Sequence, residues 1–182
     1  MKLHLGCGKR YIPGYTHVDL ADYPHIDYRH SVWTLPKYAD NSADIIYFSH
    51  GIEYADCNEI KTVLAEYKRV LKPGGILRLA VPNFETLAFL YDLTGDINLV
   101  TGPLYGRWPV NDKLTVYHKI GYDYISLEKV LEAAGFQDVK TWDWREVFTG
   151  ELEGFDDYSK AYYPHMDFNG LHLSLNVECT KG

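Results

Sequence analysis

Between residues 44 and 82 the chain spells out a strand, a capped helix and a second strand, and no other stretch limits the fold so tightly. Residues 44–49 (DIIYFS) are a near-continuous apolar run, the mark of a strand buried on both faces. Asp56 is a good helix N-cap, and Glu59 three residues later completes a capping-box pattern. Ile60, Val63, Leu64, Tyr67 and Leu71 then recur at helical spacing. Pro73-Gly74-Gly75 is expected to end this helix, with the glycines as left-handed C-caps. Residues 76–82 (ILRLAVP) read as the next strand. Strands joined through helices make a mostly parallel α/β sheet.

The remainder extends the pattern. Residues 2–5 (KLHL) form a short strand running into Gly6-Cys7-Gly8, and 16–20 (THVDL) form a second ending in Asp19. Residues 26–30 (IDYRH) are a candidate third. Only about ten and about five residues separate these strands, fewer than a crossover helix needs, so helices in the N-terminal half are reduced to single turns. Asn83 is expected to cap a helix over 84–94, and Ser126 another that stops at Gly135. Residues 138–144 read as a strand. In 171–179, Leu171, Leu173, Leu175, Val177 and Cys179 alternate with polar residues, which suggests an antiparallel strand with one wetter face. Segments 96–125 and 146–170 lack a clear element and read as lids or binding segments. At 182 residues the chain fits one domain, 1–182.

Composition removes several classes of function. The net charge is 18 − 25 = −7, which repels phosphate backbones and argues against a nucleic-acid partner. The longest apolar run, Leu87–Tyr91, is five residues, so membrane insertion is not expected. The N-terminus lacks the apolar core of a signal peptide. Three cysteines (Cys7, Cys57, Cys179) at wide spacing point to a reducing, cytoplasmic setting rather than to disulfides or a metal site. Aromatic residues make up 15%, with sixteen Tyr spread along the chain. Most of them read as packing, and some as surfaces for sugar stacking.

Glycines directly after a first parallel strand let a ligand approach the backbone. Eleven residues beyond Gly8, Asp19 ends the second strand, where a carboxylate accepts hydrogen bonds from both hydroxyls of a ribose. A dinucleotide site needs a third glycine where Tyr11 stands, and an acid about 20 residues on, so nicotinamide chemistry is disfavoured.

In order along the chain come Gly6-Cys7-Gly8, Val18-Asp19, Leu35-Pro36, Asn41-Ser42-Ala43-Asp44, Ser49-His50 with Glu53, Arg69-Val70-Leu71-Lys72-Pro73-Gly74-Gly75, and the helix from Leu127 to Phe136. This set resembles the class I S-adenosylmethionine-dependent methyltransferases, and among them small enzymes associated with glycan and cell-surface biosynthesis. The resemblance implies a Rossmann-like seven-stranded, mostly parallel sheet of order 3-2-1-4-5-7-6 with the last strand antiparallel. It implies S-adenosyl-L-methionine as cofactor. Gly6, Cys7 and Gly8 would line its methionine and ribose portion, Asp19 its ribose hydroxyls, and the segment before Leu35, with His30 or Ser31, its adenine. Ser49 and His50 would lie beside the sulfonium.

The chain also departs from that pattern. His4 stands where the first strand usually carries an acid, and Glu53-Tyr54 where a Glu-His pair is usual. No helices precede the first strand, so another segment must supply the cover. A base is needed only for an acceptor that carries a proton, and His118 and His50 are the candidates. Tyr105, Arg107 and Asp112 are candidate acceptor contacts. Lys9-Arg10 read as surface residues or as partners of the cofactor carboxylate. Glu151, Glu153, Asp156 and Asp157 read as a solvated acidic turn rather than a metal site. The expected acceptor is a small or glycan-linked molecule, methylated at oxygen, since no Asn/Asp-Pro-Pro-aromatic run follows the fourth strand. A non-catalytic binding module is the alternative.

Overall fold

Residues 1–111, 113–152, 155 and 157–182 are described by a computed structural model. The N-terminal strands are β1 (Lys2–Leu5), β2 (Thr16–Asp19), β3 (Tyr28–Arg29) and β4 (Ala43–Ser49). Helix α1 (Glu59–Val70) leads into β5 (Leu71–Pro82), followed by α2 (Phe84–Thr94) and α3 (Asn98–Tyr105). A hairpin of β6 (Arg107–Asn111) and β7 (Leu114–Tyr117) precedes α4 (Tyr124–Ala133) and β8 (Phe136–Thr141). A helical turn α5 (Trp144–Val147), β9 (Tyr162–Tyr163), β10 (Leu171–His172) and β11 (Ser174–Lys181) complete the chain. The main sheet has seven strands in the order β3-β2-β1-β4-β5-β11-β8, with β11 antiparallel to both neighbours. With β8 as the sixth strand and β11 as the seventh, this is the expected order.

Because side chains alternate along a strand, the two faces of the sheet differ in chemistry. Leu3 and Leu5 of β1, Ile46 and Phe48 of β4, Leu77, Leu79 and Val81 of β5, and Val177 of β11 share one core with Ile60, Val63, Leu64 and Tyr67 of α1 and Leu127 and Leu131 of α4. The opposite face carries His4, Tyr47, Ser49, Ala80, Ser174 and Asn176, all buried. No crossover helix follows β1 or β2. Ile12, Trp142, Phe148 and Phe155 cover this face instead. The polar face of β11 is dry at Ser174 and at Asn176, whose Nδ2 donates to Ser159 O at 3.1 Å, and wetter at Glu178 and Thr180, as its alternation suggested.

Several local expectations are corrected. The α1 helix ends at Val70, and residues 71–75 already belong to β5, with Gly74 at φ +73 inside the strand rather than at a helix C-cap. The expected capping box is present, by contrast: Asp56, three residues before the helix start, accepts through Oδ1 from Asn58 N and Glu59 N, and Glu59 Oε2 accepts from Asp56 N. The N-cap of α4 is Asp123, which accepts from Ser126 N at 2.7 Å, and Ser126 returns the bond to Asp123 N. Asn83 makes no side-chain cap to α2. The third strand is only two residues long. Segment 96–125, expected to be irregular, holds α3 and the β6–β7 hairpin.

Candidate functional site

A cavity of about 610 Å³ opens at the carboxyl ends of β1, β2 and β4, within the size range of small-molecule sites. Open α/β sheets place ligands at this position. Its floor is the turn after β1. Gly6 and Gly8 sit at φ +58 and +52, where a side chain is strained. A Cβ on Gly6 would lie 2.5 Å from Phe48, and one on Gly8 would lie 3.4 Å from Trp108. Between them Cys7 is buried, its Sγ 3.9 Å from His25 Nε2. Burial, reinforced by Asp19, pushes the Cys7 thiol up to about 12, so it is inert as a nucleophile at neutral pH.

Asp19 ends β2 with both carboxylate oxygens held by main chain. Oδ2 accepts from Gly8 N at 2.8 Å and Oδ1 from Ala21 N at 2.7 Å. The first of these bonds ties the acid to the glycine turn. Ser31 lines the cavity, joined by Val32 and Trp33. His30 and Leu35 are placed outside that lining. His30 stacks on Tyr28 at 5.0 Å, and Leu35 is wholly buried in the helix-covered core. Trp33 is the aromatic platform that sequence reasoning overlooked, although it lies in the segment expected to flank adenine.

At the end of β4, Ser49 donates to Asp157 Oδ1 at 2.5 Å. His50 follows at φ +48, its Nε2 3.1 Å from Ser174 Oγ and its ring 5.2 Å from that of Tyr158. Burial lowers His50 to about 3 despite the opposing pull of Asp157, so it stays neutral. Both histidine candidates line the same cavity.

His118 follows β7. Its Nδ1 donates to Pro103 O at 2.9 Å, and its Nε2 lies 3.4 Å from Glu53 Oε1. The Tyr54 ring packs edge-on against it at 4.7 Å. Thus the Glu-His pairing absent from the sequence after β4 is assembled through space. Glu53 is pushed by burial up to about 8, and burial lowers His118. Both shifts favour a neutral pair, with the proton on the carboxyl group and the Nε2 lone pair facing it. A buried Glu in an apolar Ile52-Glu53-Tyr54 stretch was the available signal for this pair.

Of the acceptor candidates, Arg107 lines the cavity, whereas Tyr105 is exposed. Asp112, Glu153 and Asp156 lie outside the described residues. Arg10 lines the cavity and Lys9 is exposed. Trp108 and Val116 from the hairpin, and Asp157 and Tyr158 from the C-terminal segment, complete the walls.

Residues 3–79 match the family described as methyltransferase domain. Malonyl-[acyl-carrier protein] O-methyltransferase 1 of Coxiella burnetii is 30% identical over 83 residues, 46% of this chain but only 29% of that protein. Among solved structures, an S-adenosylmethionine-dependent methyltransferase from Archaeoglobus fulgidus aligns at TM-score 0.57 and 15% identity, covering 99% of this chain and 85% of that one. A second, from Methanosarcina mazei, gives 0.57 at 17% identity over 99% and 91% of the two chains. The 1,6-didemethyltoxoflavin-N1-methyltransferase of Burkholderia thailandensis, solved with S-adenosylhomocysteine, gives 0.54 at 15% identity over 99% and 70%. The fold is that of the S-adenosylmethionine-dependent methyltransferases.

Proposed function

We propose that residues 1–182 act as one domain that binds S-adenosyl-L-methionine and transfers its methyl group to a small acceptor, at oxygen. One observation carries the reading: Asp19, fixed through both oxygens at the end of β2, is tied to a turn whose Gly6 and Gly8 hold positive φ and where a Cβ on Gly6 would collide with Phe48. The residues fit the cofactor. Gly6, Cys7 and Gly8 would hold its methionine and ribose portion, Asp19 its ribose hydroxyls, and Ser31 with Trp33 its adenine. When bound, that group supplies an electrophilic methyl on sulfonium sulfur. The protein's work is then to position the acceptor and dispose of its proton.

His50 is neutral, half-buried and tied to Ser174, which suits packing beside the cofactor rather than proton transfer. We assign proton acceptance to the Glu53–His118 pair, in which His118 lines the cavity, Glu53 is buried behind it and the carboxyl group holds the proton at neutral pH. Losing that proton makes the pair a base. The flat face of Trp108 on the cavity wall suits a ring, and supports a sugar-linked hydroxyl as acceptor.

S-Adenosylhomocysteine at 100 times its dissociation constant is expected to stabilise the fold by about 2.7 kcal/mol, read as a melting shift. Asp19→Ala should weaken it by about 1.5–3 kcal/mol in calorimetry. No shift with millimolar ligand, in protein first stripped of bound small molecules, would refute the cofactor site. With an acceptor found by panel screening, turnover should rise with pH through the region of about 8 set by Glu53. His118→Ala should lower it by at least about 10²-fold. A flat profile in both proteins would show that positioning alone drives the reaction.

A further inference from the structure

Asp157 was expected in a solvated turn, yet it is only 4% exposed. Its Oδ1 accepts three hydrogen bonds, from Tyr47 OH at 2.9 Å, Ser49 Oγ at 2.5 Å and Ser159 N at 2.7 Å. Its Oδ2 receives none among the described residues, and the residue lines the cavity. Three donors on one oxygen fix the carboxylate and leave the other oxygen as a buried acceptor facing the ligand space. Beside it, His4 is also buried and lines the same cavity, and its Nδ1 has no partner. Burial lowers His4 to about 3 and keeps it neutral, and in the tautomer with its proton on Nε2 the unpartnered Nδ1 is an acceptor.

Two unmet acceptors, one of them charged, call for a cationic donor. A metal ion is a poor candidate, since the described residues hold no group of three His, Cys, Asp or Glu that could ligate one. An ammonium group meets both acceptors with separate N–H bonds. The Arg10 guanidinium, 4.4 Å over the Tyr158 ring, places a cation on the same wall, matching the carboxylate that accompanies an α-ammonium.

We propose that Asp157, supported by His4, anchors the α-ammonium of the cofactor's amino-acid end. The acid that β1 lacks at position 4 is thereby supplied from a segment more than 150 residues away. This rests on the cofactor reading above, and the test separates the two. S-Adenosylhomocysteine, its deamino analogue and 5′-methylthioadenosine are titrated calorimetrically into the parent protein and into Asp157→Asn. The three donors will hold the Asn carbonyl at the Oδ1 position, which turns the amide N–H₂ toward the ligand in place of an acceptor. S-Adenosylhomocysteine should bind about 10- to 100-fold more weakly to Asp157→Asn, with methylthioadenosine unchanged within about threefold. In the parent, the deamino analogue should lose a similar factor against S-adenosylhomocysteine. Equal affinity of the parent for those two ligands overturns the ammonium site, even if Asp157→Asn fails to fold. A folded variant that binds S-adenosylhomocysteine like the parent overturns the Asp157 assignment. Failure of the parent to bind any of the three overturns the cofactor reading itself, and this inference with it.

Discussion

The two faces of the sheet are built on different principles. One is apolar and covered by α1 and α4, regular helices whose apolar stripes face Leu3, Ile46, Leu77, Leu79 and Val177. The other presents His4, Tyr47, Ser49, Ser174 and Asn176 to short turns from the C-terminal quarter. Apolar area holds the first cover in place. The second is pinned by directional bonds: Tyr47 and Ser49 to Asp157, Asn176 to Ser159, and Trp142 Nε1 to Leu79 O at 2.9 Å. The first gains stability by removing carbon from water. The second keeps polar atoms at a ligand's disposal, but depends on every one being matched.

The largest separation of the faces should come from acid. His4 and His50 have folded pKa values of about 3 against an ordinary 6.5, so the unfolded chain binds more protons below pH 6.5. Stability is therefore lost as pH falls from 6.5 toward 3. At pH 5 the cost is about 2 kcal/mol for each, about 4 kcal/mol together. Glu53 acts in the opposite sense, because its raised pKa of about 8 makes its stabilising contribution disappear as pH rises through that value. Urea denaturation of Glu53→Gln at pH 7 and pH 5 isolates the histidine effect, to which His17, His118 and His172, also lowered by burial, add, and adding His4→Gln should remove about 2 kcal/mol of it. An unchanged drop would move the acid sensitivity off the polar face.

Leu79→Ala, on the helix-covered face, should cost about 3 kcal/mol with no change in its dependence on pH between 5 and 7. Tyr47→Phe should cost about 2 kcal/mol, since it removes one donor from a buried carboxylate. It should also loosen the cover, read as faster amide exchange in residues 157–161 with α1 unchanged. If α1 exchanged equally fast, the faces would be one cooperative unit rather than two. Asp123→Ala, which removes the α4 cap, should cost about 1 kcal/mol.

The faces also differ in how far they could be read from sequence. Ile60, Val63, Leu64 and Tyr67 announce α1 because packing against a flat sheet imposes a 3.6-residue period, and strands joined through helices announce a mostly parallel sheet, whereas the strand order came from the family resemblance alone. The glycine-turn wall of the cavity was legible for a similar reason. Gly6, Gly8 and Asp19 lie at strand ends, where backbone geometry restricts residue type. The opposite cover was not legible, because turns lack a period and its bonds join distant residues. Tyr47 and Asp157 are 110 positions apart. Nothing near Asp157 in sequence distinguishes a pinned carboxylate from a solvated one, and nothing near His118 announces Glu53. Ser126 was misplaced as a cap by one turn, because a capping box uses polar residues at both of its ends.

The double tether on Asp19 has a consequence for selectivity. A side chain clamped by Gly8 N and Ala21 N has its rotamer chosen before any ligand arrives, so little ordering entropy is spent on contact. The same rigidity forbids accommodation. A 2′-deoxyribose offers one hydroxyl fewer, and a carboxylate that cannot swing away must leave its remaining lone pairs unmet. A flexible acid would turn to water and forgive the loss. In the ribose site proposed above, this one would turn the absence of a single oxygen atom into a penalty, and so tell a ribonucleoside from its deoxy counterpart without touching the base.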